Sequence, residues 1–95
     1  MKCTASVPTA NASRYLQQLC KHFGHKIETR FDAGTGTCMF PNNTVEMVAH
    51  GDRLEITVTA ADEDGLTRGR EVIWSHLARF AFREELTAPR WRPAT

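Results

Sequence analysis

This 95-residue sequence lacks the hydrophobic run that a membrane helix requires, since no stretch approaches about 18 consecutive apolar residues. Its first residues, MKCTASVPTANAS, contain a single lysine and no apolar segment of about seven residues, so they do not form a secretory signal. With 41% hydrophobic and 24% charged residues, the composition is typical of a soluble globular protein. We therefore expect a cytoplasmic protein that folds as a single domain over residues 1–95 and does not bind a membrane.

Cysteine is scarce, and charge of one sign is not in excess. The three cysteines, Cys3, Cys20 and Cys38, form neither a CxxC pair nor the even set of a disulfide scaffold, which favours free thiols and excludes a zinc ribbon. The formal net charge of +1 provides no long-range field for nucleic acid or an anionic membrane. Any anion-binding site must therefore be local.

Hydrophobic periodicity predicts two amphipathic helices. The first is expected to start at Pro8 and Thr9 and to end at Gly24, which we predict to be a left-handed cap. Its apolar positions follow at helical spacing: Ala12, Tyr15, Leu16, Leu19, Cys20 and Phe23. The second helix is predicted to be capped by Asp62. Its buried stripe consists of Leu66, Gly69, Val72, Ile73, Leu77 and Phe80.

Segments in which apolar and polar residues alternate, as in β-strands, surround these helices. A first strand is expected near residues 2–7, and further strands are expected at residues 25–31, 37–40, 44–50 and 53–60. The order β-α-β-β-β-β-α predicts an α+β two-layer sandwich, in which an antiparallel sheet of four to five strands carries both helices on one face. This order resembles the fold of the TATA-binding protein and of the last domain of phosphohexomutases.

The stretch LCKHFGHK, residues 19–26, raises the question of a metal site, because Cys20, His22, His25 and His76 are all acceptable ligands. At about 100° per residue, Cys20 and His22 lie roughly 160° apart on the first helix, so they cannot hold one ion together. A cluster of His22, His25 and His76 between helix ends is the remaining arrangement. The alternative is that His22 and His25 bond to backbone at a helix cap, and that His76 is a half-buried core histidine.

Nucleophilic catalysis by Cys20 is not favoured by its position. Cys20 lies on the edge of an apolar stripe near a helix C-terminus, whose partial negative charge disfavours a thiolate. General acid and base catalysis would need two carboxylates that converge in a cleft. Glu84 and Glu85 are sequence neighbours followed by a charged tail, which indicates a solvated surface.

The stretch HLARFAFREEL, residues 76–86, concentrates cations on the second helix. His76, Arg79 and Arg83 recur at helical spacing, so they share one side of that helix. If the helices lie side by side, Lys21, His22, His25 and Lys26 would face these arginines and form a small anion-binding patch. The alternative is that Arg79 or Arg83 pairs with Glu84 and with carbonyl groups at the helix end.

The two blocks LQQLCKHFGHKIE and HLARFAFREEL, together with Trp91, resemble a small bacterial family known as domain of unknown function 2218. The resemblance covers nearly the whole chain. It implies a bacterial protein encoded near siderophore and iron-uptake genes, and some relatives carry the name of a hydroxy-diacid aldolase. Metal-dependent aldolases of that class are barrels of about 250 residues, so this name fits the present sequence poorly. The resemblance implies no catalytic residues.

We therefore expect a non-enzymatic binding or accessory module for a small anionic ligand, such as an iron chelate, or for a protein partner. The residues proposed for binding are His22, His25, Lys26, His76, Arg79 and Arg83. The alternative function is a small metal-dependent lyase or hydrolase that uses His22, His25 and His76. Cofactor identity and oligomeric state do not follow from the sequence.

Nucleic acid is not expected as a partner. DNA binding in the manner of the TATA-binding saddle requires a basic, aromatic-rich open sheet face. The face predicted here carries charges that nearly cancel: Lys26, Glu28, Arg30, Arg53 and Glu55.

Overall fold

The computed structural model describes residues 1–94, which form two helices and one antiparallel sheet of six strands. The strands are β1 (Lys2–Pro8), β2 (Glu28–Phe31), β3 (Thr35–Phe40), β4 (Asn43–Ala49), β5 (Arg53–Thr59) and β6 (Arg92–Pro93). The helices are α1 (Ala12–Phe23) and α2 (Glu63–Phe80). Within residues 1–94, neither helix combines the length and the apolar character needed to cross a membrane.

Both helices cover the same face of the sheet, whose strand order is β2-β3-β4-β5-β1-β6. Directly opposed residues of antiparallel strands point to the same face, and the row Cys38, Val45, Val58 and Cys3 is buried across four strands. Leu16 and Leu19 of α1 and Ile73 and Leu77 of α2 are completely buried above such rows. Val72 and Phe80 are half-buried at the margin. The predicted two-layer α+β sandwich is confirmed.

The sheet has one strand more than the sequence predicted. Thr4 pairs with Arg92 and Cys3 with Pro93, so the C-terminal tail adds β6 alongside β1. The half-buried Trp91 packs against the core just before this strand. A two-residue strand that contains proline has no alternating pattern, which explains why the sequence shows only a tail. This short edge strand covers the backbone edge of β1.

The turn after α1 differs from its prediction. Gly24 has φ −60° and ψ −14°, which is right-handed, and its N–H donates to the Cys20 carbonyl at 2.9 Å. The turn then continues helically, since Ile27 N–H donates to the Phe23 carbonyl at 3.0 Å. The strand expected from residue 25 therefore begins only at Glu28. A side chain at position 24 would be crowded, because its Cβ would lie 3.0 Å from both the Cys20 carbonyl oxygen and Thr29 Oγ1.

The helix starts show one correction and one confirmation. Pro8 belongs to β1 and pairs with Arg53, so α1 begins at Ala12 and not at Pro8 and Thr9. Asp62 caps α2 as predicted, since its Oδ1 accepts a hydrogen bond from Gly65 N–H at 2.8 Å.

Candidate functional site

The end of α1 lies against the C-terminal part of α2, and this contact brings histidines from the two sequence blocks together. The ring centroids of His22 and His76 are 5.0 Å apart, and those of Phe23 and His76 are 4.9 Å apart. His22 also contacts Phe80 edge-on, with a centroid distance of 5.6 Å. The histidines of LCKHFGHK and HLARFAFREEL therefore converge in the folded chain.

A cavity of about 350 Å³ opens beside these rings, which is within the usual size of small-molecule pockets. Its apolar lining consists of Phe23, Ile27, Phe40 and Val72. Its polar lining consists of His22, His25, Lys26 and His76. We call this cavity, with its eight lining residues, the histidine pocket.

Local structure explains how five residues of the short segment 22–27 come to line one pocket. The helical turn after Phe23 folds the chain back, because both Lys26 N–H and Ile27 N–H donate to the Phe23 carbonyl at 3.0 Å. His25 and Lys26 are thereby held in an exposed turn at the pocket mouth. Phe40 closes the other side from the end of β3, with its ring 5.0 Å from that of Phe23.

His76 is oriented by its own helix. Its Nδ1 lies 2.7 Å from the Val72 carbonyl oxygen, which can only accept, so Nδ1 carries the proton and donates. Ser75 Oγ lies 3.4 Å from the same nitrogen. In the neutral ring, Nε2 is therefore unprotonated and can accept a hydrogen bond, take up a proton or bind a metal.

The pKa of His22 lies below its ordinary value of 6.5. Desolvation is the largest cause, followed by the positive charges of His76, His25, Lys26 and Arg79. A protonated His22 is therefore repelled by its surroundings in the folded protein. Its protonation favours the unfolded chain, so this contribution to stability is lost as pH falls below about 6.5.

The two arginines of the predicted site do not line the histidine pocket. Arg79 is exposed and acts on His22 only through its charge. Arg83 lies in the turn after α2, with Cζ 5.5 Å from the centroid of the Phe82 ring. Arg83 is not among the residues that line the pocket, so its convergence with LCKHFGHK stays a prediction.

The start of α1 instead meets Glu84. The Glu84 carboxylate accepts hydrogen bonds from Thr9 Oγ1 at 2.8 Å, from Asn11 Nδ2 at 2.9 Å and from the Tyr15 hydroxyl. We call these four residues the Glu84 cluster. No ion pair within residues 1–94 joins Arg79 or Arg83 to Glu84, so the alternative pairing expected from the sequence is not formed.

The thiols and imidazoles do not assemble into a metal site among the described residues. No group of three or more His, Cys, Asp or Glu side chains in residues 1–94 is placed to hold an ion. Cys20 is completely buried, as its position on the apolar stripe predicted. Its Sγ lies 3.8 Å from Sγ of Cys38, a proximity that the sequence did not reveal.

The open face of the sheet carries paired charges. Arg53 contacts Asp52 at 3.0 Å and Glu55 at 3.1 Å, and Arg30 contacts Glu28 at 3.6 Å. Lys26, which the sequence placed on this face, lies in the turn before β2 and lines the histidine pocket. Of the five charged residues predicted for the open face, four lie on its strands: Glu28, Arg30, Arg53 and Glu55. Their two positive and two negative charges cancel.

Residues 4–92 match the family described as an uncharacterized protein conserved in bacteria, DUF2218. The chain belongs to this family. Among solved structures, this DUF2218 chain is similar to the NMR structure of PA4090 from Pseudomonas aeruginosa, with a TM-score of 0.81 and 34% sequence identity. The similarity covers 98% of this chain and 96% of that one, and it confirms the α+β fold. No curated protein matches this DUF2218 chain.

Four apolar residues of the histidine pocket were not predicted as site residues: Phe23, Ile27, Phe40 and Val72. They come from α1, the turn after it, β3 and α2, and each reads in the sequence as an ordinary core position. The sequence presents Phe40 only as the last residue of a strand. Only the packing of the helices on the sheet places it next to Phe23.

Proposed function

We propose that this protein is a non-enzymatic binding module for a small anion that carries an apolar or aromatic body. The observation that carries this proposal is the composition of the histidine pocket. Its floor is apolar and its rim holds Lys26 and three imidazoles, whereas no Asp or Glu among the described residues lines it. Pockets that bind small molecules commonly combine an apolar lining with a few polar groups that fix orientation.

The charges at the rim favour an anion. Within residues 1–94, no ion pair involves Lys26 or Arg79, so their charges are not cancelled by a nearby carboxylate. These charges help to lower the pKa of His22. A bound carboxylate or phosphate would reverse that effect and raise the pKa of His22, so anion binding takes up a proton. Affinity should therefore increase as pH falls through about 6.5.

The pocket floor favours a ligand with an apolar part. The rings of Phe23 and Phe40 meet at 76°, and Ile27 and Val72 complete the apolar lining. Burying apolar area here contributes about 25 cal/mol per Å², which a bare inorganic anion cannot gain. The proposed ligand class is therefore amphipathic anions. An anionic iron chelate with aromatic groups, as the family resemblance implies, belongs to this class.

Benzoate, acetate and benzyl alcohol form a probe set that tests both requirements. We expect benzoate to shift the NMR signals of Phe23, Ile27 and His76, and to do so more strongly at pH 6 than at pH 8. Acetate lacks the apolar body and benzyl alcohol lacks the charge, so each should bind less tightly. Equal binding of benzyl alcohol and benzoate, or a response independent of pH, would contradict the proposal.

A metal-dependent enzyme is the second candidate: no group of three ligands is placed for an ion in residues 1–94, but His76 by itself has the orientation of many metal-binding histidines. Its Nδ1 donates to a backbone carbonyl, which leaves Nε2 free, and His22 lies 5.0 Å away between ring centroids. Metal binding requires neutral imidazoles, so affinity for zinc should fall as pH drops. The two candidates therefore differ in the sign of their pH dependence. Stoichiometric zinc binding that weakens in acid would favour the enzyme.

A further inference from the structure

Two thiols that the histidine pocket does not use are in contact inside the core. Cys20 of α1 and Cys38 of β3 are both 0% exposed, and their Sγ atoms lie 3.8 Å apart. The third cysteine, Cys3, lies on β1, three strands from β3 in the sheet, and its Sγ is 3.8 Å from Arg70 Nη1. The fold therefore separates one cysteine and pairs the other two.

We propose that Cys20 and Cys38 form an oxidant-sensitive dithiol, which closes to an intramolecular disulfide between α1 and β3. The two sulfur atoms are in van der Waals contact at 3.8 Å, so a disulfide bond of about 2.05 Å must bring them roughly 1.8 Å closer. This proposal is independent of the ligand proposed for the histidine pocket.

Gly36 provides the space that keeps the sulfur atoms together. A Cβ at this position of β3 would lie 2.8 Å from Cys20 Sγ and 3.0 Å from Leu16 Cδ2. Any side chain at position 36 would therefore push the Cys20 sulfur aside. The contact with Cys38 depends on this glycine, which the sequence alone presents as part of the turn segment DAGTG.

The surroundings favour a disulfide over a thiolate complex with a soft metal. A disulfide needs only the two sulfur atoms, whereas an ion needs further ligands, and no group of three or more His, Cys, Asp or Glu side chains in residues 1–94 is placed to supply them. Hydrogen bonding from Cys38 lowers the pKa of Cys20, and hydrogen bonding to Cys20 together with burial raises the pKa of Cys38. Cys20 is therefore the thiol of the pair that ionises first and attacks an oxidant.

Hydrogen peroxide serves as the oxidant, since it is small enough to reach buried sulfur during local opening of the last turn of α1. The Cys20 thiolate attacks one peroxide oxygen, forms a sulfenic acid and releases hydroxide. The Cys38 thiolate then attacks the Cys20 sulfur, which forms the S–S bond and expels a second hydroxide. The protons lost by the thiols convert both hydroxides to water. Two thiols are oxidised and one peroxide is reduced.

The bond would connect the two elements that supply the aromatic floor of the histidine pocket. Cys20 lies three residues before Phe23 on α1, and Cys38 lies two residues before Phe40 at the end of β3. Oxidation should therefore shift the NMR signals of both phenylalanine rings. Dithiothreitol should restore the original signals, because a disulfide is reversible by thiol exchange.

The test uses the Cys3→Ser variant, which retains only the proposed pair. Treatment of the folded variant with peroxide should lower its mass by about 2 Da, the loss of two hydrogens on disulfide formation, and should produce a linked peptide pair containing residues 20 and 38. Adding Cys20→Ser or Cys38→Ser should abolish this mass loss and give oxygen addition instead. Thiols that stay free in the folded Cys3→Ser protein, or that gain oxygen without becoming linked, would overturn the proposal.

A second pair of variants tests the geometry. Gly36→Ala should slow disulfide formation about tenfold or more, since the added Cβ displaces the Cys20 sulfur. Gly34→Ala is the matched control, because its added Cβ would meet only Asp32 Oδ1 at 3.8 Å. Equal oxidation rates in the two variants would show that contact between the sulfur atoms does not control the reaction.

Discussion

Where α1 begins, the Glu84 carboxylate accepts hydrogen bonds from Thr9, Asn11 and Tyr15. Where α1 ends, the histidine pocket has Lys26 and three imidazoles but no carboxylate among its described lining residues. Both regions join α1 to α2 or to the segment that follows it. They differ in how charge is satisfied. The negative charge of Glu84 is satisfied by three hydrogen-bond donors, whereas the positive charges at the pocket have no carboxylate partner among the described lining residues.

This difference separates a structural polar cluster from a candidate binding site. Three donors satisfy most of the acceptor capacity of Glu84, so the cluster has little left to offer a ligand. At the pocket, the positive charges around His22 oppose one another, and the resulting cost is relieved only by an anion or by loss of a proton. The Glu84 cluster should therefore contribute stability, and the pocket should contribute affinity.

A substitution in the hydrophobic core beneath both regions should have the largest effect on stability. Leu19 is 0% exposed near the middle of α1, so Leu19→Ala should lower the free energy of unfolding by about 2 to 5 kcal/mol. The exposed neighbour Gln18 is the matched control, and Gln18→Ala should change stability by less than about 0.5 kcal/mol. Urea denaturation measures both. A loss well under about 1 kcal/mol for Leu19→Ala would show that α1 does not bury this face.

Removing the charge of Glu84 should have the next largest effect. Glu84→Gln weakens the hydrogen bonds from Thr9, Asn11 and Tyr15, and it should lower the free energy of unfolding by about 1 to 2 kcal/mol. Glu85→Gln is the control in the same turn. Benzoate binding should be unaffected by Glu84→Gln. If this variant keeps full stability but loses affinity, the contrast between the two regions is reversed.

Lys26→Gln should show the opposite pattern. Loss of this charge at the pocket mouth should weaken benzoate binding about fivefold, equivalent to about 1 kcal/mol, because one charge-assisted contact is removed. Its stability should change by less than about 0.5 kcal/mol, since the side chain is exposed. Lys2→Gln, far from the pocket on β1, is the control. Titration calorimetry measures the affinity for benzoate, and urea denaturation measures the stability. A fall in the stability of Lys26→Gln would indicate a structural role for Lys26 and contradict the prediction.

The pH dependence of stability should show the smallest effect. Because the pKa of His22 is lowered in the folded state, the wild-type protein should lose more stability than His22→Gln between pH 8 and about pH 5.5. Asp32 should affect stability in a separate, more acidic pH range. Hydrogen bonds from the backbone of Thr35 and Gly34 lower its pKa from 3.8, so Asp32→Asn should alter the profile only nearer pH 4 and below. Parallel profiles for wild type and His22→Gln would refute repulsion at the pocket.

Much of the secondary structure could be predicted from the sequence. The helical spacing of apolar residues defined the buried face of α1, from Ala12 to Phe23, and the Asp62 cap set the start of α2. These features depend on residues within about two turns of one another, so local hydrogen bonding and a 3.6-residue period are sufficient to predict them. The sequence left open whether His22 and His76 converge, and the packing of α1 against α2 brings their rings together.

The partners of individual side chains were decided by the tertiary structure. Glu84 joins Tyr15 and His76 joins Phe23 because α1 and α2 run antiparallel on the sheet, and periodicity does not encode that direction. Cys38 meets Cys20 because β3 lies beneath α1, next to the edge strand of the order β2-β3-β4-β5-β1-β6. Contacts between residues 18 to 75 positions apart depend on strand order and helix direction, which are set by the packing of the whole core.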